Sequence, residues 1–382
     1  MRRLGLFVFY DKDGIVDEYV EYLISDLKRV VSELIIIVNG KVNVEGENIL
    51  QKYSNQYYTR ENVGFDAGAY ADVIVNILGE HKLSQYDELV LCNDTFYGPF
   101  VSFENIFDAM RNEKCDFWGL DCIKRNFLSY IIMYFCVFRG EMLRNGDLFN
   151  YFRDKILNKI NDISDAFAIF QVGVYYTLTQ KRYVAGTYTY SNGYLSRRNP
   201  DICLLKYNLP IWKKKFFYEG NYDRLISNKL LDYLQKNKLY NINLISDNVK
   251  RIYKRNILEQ EHNDVAKLAY KSELKYSVPQ ITKDDINKFL SKNTQVYIYG
   301  IGAFAKSTAF VFRDNIREFC GFIISDEKSC EYTDVWGYPV MKASKVPTNS
   351  AIIVSLNYEH SKEVFTRLGK GGNILYFWNL ED

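Results

Sequence analysis

Between Tyr57 and Val75 the chain reads YYTRENVGFDAGAYADVIV, and the residue types there could do chemistry. Gly64 and Gly68 flank the start of a helix-like run, and a glycine-rich turn before a helix lets backbone N–H groups approach an anionic ligand. Arg60, Asn62 and Asp66 sit in the same turn. The same residues also spell a tight strand-to-helix turn with Asp66 as its cap. One strand–helix unit later, YDELVLCNDTFYGPF ends a buried apolar run on Asn93-Asp94-Thr95. A carboxylate there can hold a divalent cation, Mn or Mg, against phosphate oxygens, or cap a turn. Lys213, Lys214 and Lys215 follow in LPIWKKKFF. They read either as charge for an anion or as a solvated face with Trp212, Phe216 and Phe217 packed beneath.

The elements that must position these residues follow α/β grammar. LGLFVFYD is a buried strand, VDEYVEYLISDLKRVV has apolar residues at helical spacing, and ELIIIVNG is a second strand closed by a turn. QYYTRE is a short third strand, GAYADVIVNILGEHKL the next helix, and YDELVLCND the next buried strand. Such a sheet has parallel strands, and ligands bind beyond their carboxyl ends. Asn39, Gly40, the Asn62–Gly68 loop and Asn93–Thr95 therefore share one rim.

The bounds exclude several classes. With 382 residues, 47% hydrophobic, the chain can bury a sizeable core in two or three domains. A formal net charge of +2 gives no global field for nucleic acid. Seven cysteines without a Cys-x-x-Cys pair argue for reduced thiols in the cytoplasm rather than for disulfides or structural zinc. Three scattered histidines make a His-metal site or a Ser/His/Asp triad a poor reading. FLSYIIMYFCVF, the longest apolar stretch, is far shorter than the roughly 20 residues of a membrane helix.

ENVGFDAGAY followed by YDELVLCNDTFYGP resembles the rhamnan synthesis protein F family and, more distantly, inverting GT-A glycosyltransferases. CDFWGL, SYIIMYFCVFRGEML and LPIWKKKFF, with Pro210 and Lys213, resemble the same family. The resemblance covers about residues 4–217. It implies transfer of a sugar, typically L-rhamnose, from a nucleotide diphosphate donor to a polysaccharide or lipid-linked saccharide acceptor, with peripheral membrane association. Asp94 corresponds to the metal-motif aspartate, Asn93 to its middle place, and Cys92 stands where many relatives carry a first carboxylate. Asn39, Arg60, Asn62, Gly64, Asp66, Gly68, Asn93 and Lys213 are the expected donor contacts. An inverting transfer also needs a base for the acceptor hydroxyl. Relatives carry Glu-Val-Gly-Leu where this chain has FQVGVYYTLTQKRY, so Gln171 stands in the acidic place; Asp121, Asp116 and Asp165 are the nearest replacements.

The expected architecture is a GT-A-like nucleotide-sugar-binding domain over 1–217, a helical connector over 218–292 and a small Rossmann-like domain over 293–382. The connector rests on YDRLISNKLLDYLQKN and DVAKLAYKSELK. The last domain rests on the strand TQVYIYG with Gly300-x-Gly302, then FCGFIISDE, AIIVSLN and NILYFWN. Asp326 ends its second strand where a ribose-binding acid could sit, and Lys306 falls near the third glycine of the dinucleotide fingerprint. Competing readings are a non-catalytic partner in polysaccharide assembly, consistent with Gln171, and a nucleotide-dependent oxidoreductase, disfavoured by the incomplete fingerprint.

Overall fold

The structure is a computed structural model that describes residues 1–124, 128–258, 281–330 and 332–380. It forms two compact units. The first comprises residues 1–123, 131–161 and 178–258; the second comprises 124, 128–130, 162–177 and the described residues from 281 onward.

The first unit is built on a seven-stranded sheet of β1 (Arg3–Phe9), β2 (Glu33–Asn39), β3 (Gln56–Arg60), β4 (Glu88–Asn93), β5 (Phe117–Gly119), β6 (Phe135–Arg139) and β7 (Ala185–Thr187), in the order β7-β5-β6-β4-β1-β2-β3. β3, β2, β1 and β4 run parallel, β6 pairs antiparallel with both β4 and β5, and β5 and β7 are parallel. β1 and β4 sit in the middle, which is why their runs are apolar on both faces: Leu4 to Phe9 and Leu89 to Cys92 are all buried, Gly5 included. α1 (Glu18–Val30) buries Tyr19, Val20, Leu23, Ile24 and Leu27, one stripe at helical spacing, against this sheet. Burying such side chains stabilises by about 1.5–3 kcal/mol each. α3 (Phe65–Asp72) follows β3 and α2 (Val44–Gln51) precedes it; α4 is Phe103–Met110.

The described part of the expected connector is helical. α5 (Arg224–Lys236) and α6 (Asn243–Tyr253) put Leu230, Leu231, Leu234, Leu244, Ile245 and Val249 into the first unit's own core. Arg251 on α6 ties this helix to the loop after β1, reaching Asp11 and Asp17 at 2.6 Å each. DVAKLAYKSELK lies outside the described residues.

In the second unit β8 (Gln295–Tyr299), β9 (Glu318–Ile324), β10 (Tyr338–Lys342), β11 (Ala351–Val354) and β12 (Ile374–Tyr376) form a parallel sheet in the order β10-β9-β8-β11-β12, extended at β10 by antiparallel Asp334–Val335. This is the doubly wound order. With α7 (Lys283–Lys292), which the sequence reading assigns to the connector, α8 (Ala303–Phe312) and α9 (Tyr358–Leu368) it forms a Rossmann-like unit. The helical stretch 163–177 packs against α8 within this unit although it lies far upstream in the chain. Both units are thus α/β on mainly parallel sheets, each with an antiparallel strand, in the class that the sequence predicts. Among the described residues, no helix is long and apolar enough to cross a membrane.

Candidate active site

The carboxyl ends of β1, β2, β3 and β4 gather most of the residues the sequence singles out, and each is held by a definable contact. At the end of β3, Arg60 donates from Nη1 to Asn39 Oδ1 at 2.7 Å, from Nη2 to the Val63 carbonyl at 3.0 Å, and from Nε to Asp72 at 3.1 Å. Asn39, at the end of β2, donates to the Phe65 carbonyl at 2.9 Å. Phe65 is a non-glycine residue at φ +57°, a conformation that costs about 1–2 kcal/mol and persists because Asn39 and the start of α3 over-determine it. Arg60 and Asn39 therefore staple the loop; Asn62 is exposed beside it.

The two glycines serve this staple. Gly64 adopts φ +74° at the N-cap of α3. A Cβ on Gly68 would stand 2.5 Å from the Val63 carbonyl oxygen, the same atom that accepts from Arg60. Close packing of the turn on the first turn of α3 thus requires glycine at position 68. The cavity behind the loop measures about 90 Å³, far below the size of a nucleotide site. Asp66 accepts from the Ala67 N–H at 2.9 Å and from Asn93 Nδ2 at 2.8 Å, and burial raises its carboxyl above the ordinary value.

β4 delivers the second cluster. Asn93 Oδ1 accepts from the Thr95 N–H at 3.2 Å and hydroxyl at 2.6 Å. Asp94, almost wholly buried, accepts on Oδ2 from Tyr19 at 3.0 Å and from Lys214 Nζ at 3.0 Å. Tyr19 and Lys214 are themselves 2.5 Å apart. The lysines reach the rim because Trp212–Lys213 forms a short antiparallel pair with Phe96–Tyr97, Lys213 opposite Phe96, and the Lys214 N–H donates to the Thr95 carbonyl at 3.1 Å. Buried Trp212, Phe216 and Phe217 anchor the segment, their rings 4.9–5.4 Å apart. Aromatic packing beneath the lysine run is its anchor, Lys213 and Lys214 turn to the rim, and Lys215 is exposed.

Lys213 donates to Thr95 Oγ1 at 2.5 Å and lies 4.6 Å from the centre of the Tyr134 ring. Burial lowers its ammonium to about 7, with Lys215 and Lys214 lowering it further and Asp66 and Asp94 opposing. The Tyr134 hydroxyl is buried with no hydrogen-bond partner among the described residues. Tyr19 and Tyr134 are site residues that sequence reasoning missed, whereas Thr95 lies on the expected rim; a tyrosine on a helix's buried stripe or inside an apolar strand run reads as core.

The base candidates separate. Asp121 follows β5 at the rim end but is wholly buried, accepting from the Cys122 N–H at 2.9 Å, the Ser191 N–H at 3.1 Å and the Ser191 hydroxyl at 2.8 Å; burial lifts its carboxyl to about 6. Asp116 precedes β5 at the opposite edge of the sheet and accepts from the Val184 N–H at 2.7 Å. Asp165 and Gln171 belong to the second unit, where Asp165 meets Lys306 Nζ at 2.7 Å and Trp336 Nε1 at 3.0 Å. Asp162 takes the same ammonium at 2.8 Å. At the opposite sheet edge a groove of about 900 Å³ is lined by Arg3, Arg29, Arg111, Arg139 and Arg144, but Arg3 and Arg139 are committed to Glu88.

The expected metal site does not fit the residues present. Asp94 is already paired with an ammonium, Asn93 is spent on Thr95 and Asp66, and Cys92 is a buried thiol whose pKa burial raises well above the ordinary value. Mn and Mg ask for several hard oxygen ligands. Among the described residues no group of three or more His, Cys, Asp or Glu could hold a metal ion.

Residues 34–299, more than half of the chain, match the family described as rhamnan synthesis protein F. The chain belongs to that family. A curated relative, the uncharacterized protein y4gN of Sinorhizobium fredii (strain NBRC 101917 / NGR234), is 27% identical over 121 residues, covering 31% of this chain and 30% of that protein. Among solved structures, S. aureus TarS 1–349 aligns at 11% identity and TM-score 0.32 over 83% of each chain. A cytidylyltransferase from Leptospira borgpetersenii serovar Hardjo-bovis (strain JB197) aligns at 11% identity and TM-score 0.33, over 69% of this chain and 100% of that one.

Proposed function

We propose that this rhamnan synthesis F family chain is a glycosyltransferase. It moves a sugar, L-rhamnose or a related one, from a nucleoside diphosphate donor to a growing saccharide of a cell-surface polysaccharide, with inversion at the anomeric carbon. The work is done in the cytoplasm, at the inner face of the membrane where a lipid-linked acceptor is presented. The observation that carries the reading is the pair of ammonium groups, Lys213 and Lys214, set at the carboxyl end of β4 beside Asp94 and Thr95. Ligands of parallel sheets bind at that edge, and a departing diphosphate needs positive charge there. The Arg60–Asn39–Phe65 staple fixes the neighbouring loop, so the rim is preorganised rather than assembled on binding.

The test is release of nucleoside diphosphate from a panel of labelled nucleotide sugars, with and without lipid-linked saccharide acceptors. Acceptor-stimulated release supports the reading. If no donor is bound or turned over, the assignment fails. If a donor binds and no acceptor stimulates release, the non-catalytic reading that Gln171 favours takes its place, because an amide cannot serve as a base near neutral pH.

A further inference from the structure

We propose that the leaving diphosphate is received by the Lys213 and Lys214 ammonium groups in place of a divalent cation, so that donor binding by this chain needs no metal. The inference rests on the glycosyltransferase reading and specifies how its site handles charge. A dication bound to Asp94 would have to enter where Lys214 Nζ already sits, 3.0 Å from Oδ2 and 4.8 Å from the centre of the Tyr19 ring. Displacing that ammonium from a carboxylate whose side chain is 6% exposed would leave a positive charge facing the incoming one. Cys92 and Asn93 stand in the two preceding places and both are engaged, and the neighbouring Asp66 carboxylate is itself taken by Asn93 Nδ2 and the Ala67 N–H. Two lysines on one short segment bring two amine donors to the rim, Lys213 taking up its full charge as the diphosphate binds, and the strand pair with Phe96–Tyr97 fixes where they stand.

The charge balance follows. As the bond from the anomeric carbon to the diphosphate oxygen breaks, the electron pair stays on that oxygen, and Lys213 and Lys214 donate hydrogen bonds to the diphosphate. The acceptor oxygen bonds to the anomeric carbon, and its proton leaves to a protein carboxylate or to water. Asp94 keeps Lys214 in place when the site is empty, and Thr95 does the same for Lys213.

The experiment is calorimetric titration of the full chain with UDP, dTDP, GDP, CDP and ADP as probes, in EDTA and in MnCl₂. For the nucleotide that binds, Kd should agree within about threefold between the two conditions. Lys213→Met should raise Kd by about tenfold or more, the scale of one charge-assisted hydrogen bond. Lys214→Met leaves Asp94 buried and unpaired, so the fold-safe variant is the double Lys214→Met/Asp94→Asn, with the same expected loss. Asp94→Asn alone frees Lys214 from its anchor, so its Kd should rise no more than that of the double variant and stay equal in EDTA and MnCl₂, whereas loss of a metal ligand would remove a Mn-dependent part of the affinity. Binding that collapses in EDTA and returns with Mn overturns the inference and leaves the glycosyltransferase reading standing. Metal-free binding that neither lysine variant weakens puts the diphosphate elsewhere and also overturns it. Absence of binding to every probe in both conditions overturns the inference together with the reading beneath it.

Discussion

Lys213 should make donor affinity fall steeply with pH just above neutrality. Burial is the main cause of its lowered ammonium, which titrates near 7 rather than at the ordinary 10.5. The groups that face it are Thr95 and Tyr134 from β4's exit and β6's entry, Asp66 from α3, Asp94, and Lys214 and Lys215 from its own segment. A bound diphosphate raises that ammonium again, so the complex holds the proton to higher pH than the free protein. Affinity is then level below pH 7 and drops by about tenfold per pH unit above it until the bound-state value is reached; near pH 8 each binding event takes up about 0.9 proton. A nucleotide sugar is the right probe, because its esterified diphosphate does not titrate in this window. Calorimetry between pH 7 and 9, repeated in buffers of different ionisation enthalpy, reads both the slope and the proton. Lys213→Met should bind weakly and without slope, and Lys215→Met should keep the slope with its onset moved to higher pH, since the Lys215 charge is one cause of the lowered ammonium. A flat wild-type profile, or an equal slope in Lys213→Met, refutes the argument. The sign for folding is opposite in form. The unfolded chain holds this proton up to about 10.5 and the folded chain releases it near 7, so the charged, buried lysine costs stability below pH 7 and the cost is relieved as pH rises toward 10.5.

Further outcomes are specific to single contacts. Gly68→Ala should lose about 1–3 kcal/mol in urea unfolding because its Cβ meets the Val63 carbonyl, while Gly372→Ala, which meets open space, should change little. Lys306→Met should destabilise by about 3–5 kcal/mol, since it leaves Asp162 and Asp165 facing each other without their shared ammonium, and Asp162→Asn/Asp165→Asn in the same background should recover part of the loss. Burial holds the Asp121 carboxyl at about 6, so its charged form costs stability above that pH; Asp121→Asn, which does not titrate, should compare best with wild type above pH 6, and wild type should gain on it in urea unfolding as pH falls through 6 toward 4.

The legible part of the fold is the part coded locally. Apolar runs marked β1, β2, β4 and β8 within two residues, and β9 and β11 with ends three residues too late; β1 and β4 stand out most because a strand buried on both faces has to be apolar throughout. α1 and α5 were visible from one stripe at helical spacing. Tyr338–Lys342 was not visible as a strand, since its half-exposed residues alternate with no apolar face to mark it. The company kept by residues 162–177 was hidden for a different reason. Asp162 and Asp165 meet Lys306 across more than 140 residues, and neither side carries a local pattern that names the other. A trace existed nonetheless: Lys306 is the one charge in AFAKSTAFVF, and a lysine inside a buried helix stretch must find a carboxylate somewhere.

The rim shows the same division at the level of chemistry. Asp94, Asn93 and the glycine loop were found from type and spacing, yet what each does depends on partners that spacing does not supply. Gly68 looks like room for a ligand until the Val63 carbonyl is seen to fill it. Asp94 looks like a metal ligand until Lys214, 120 residues away, is seen on its oxygen. Cys92 was the available clue: where a first carboxylate is replaced by a thiol inside a strand, the remaining aspartate is left with one negative charge, and one ammonium balances it. A dication there would carry a net positive charge into a site with two further lysines. Cys92 in place of a carboxylate and Lys214 on Asp94 therefore point the same way, and making donor binding metal-dependent should require changing both, Cys92→Asp together with Lys214→Met.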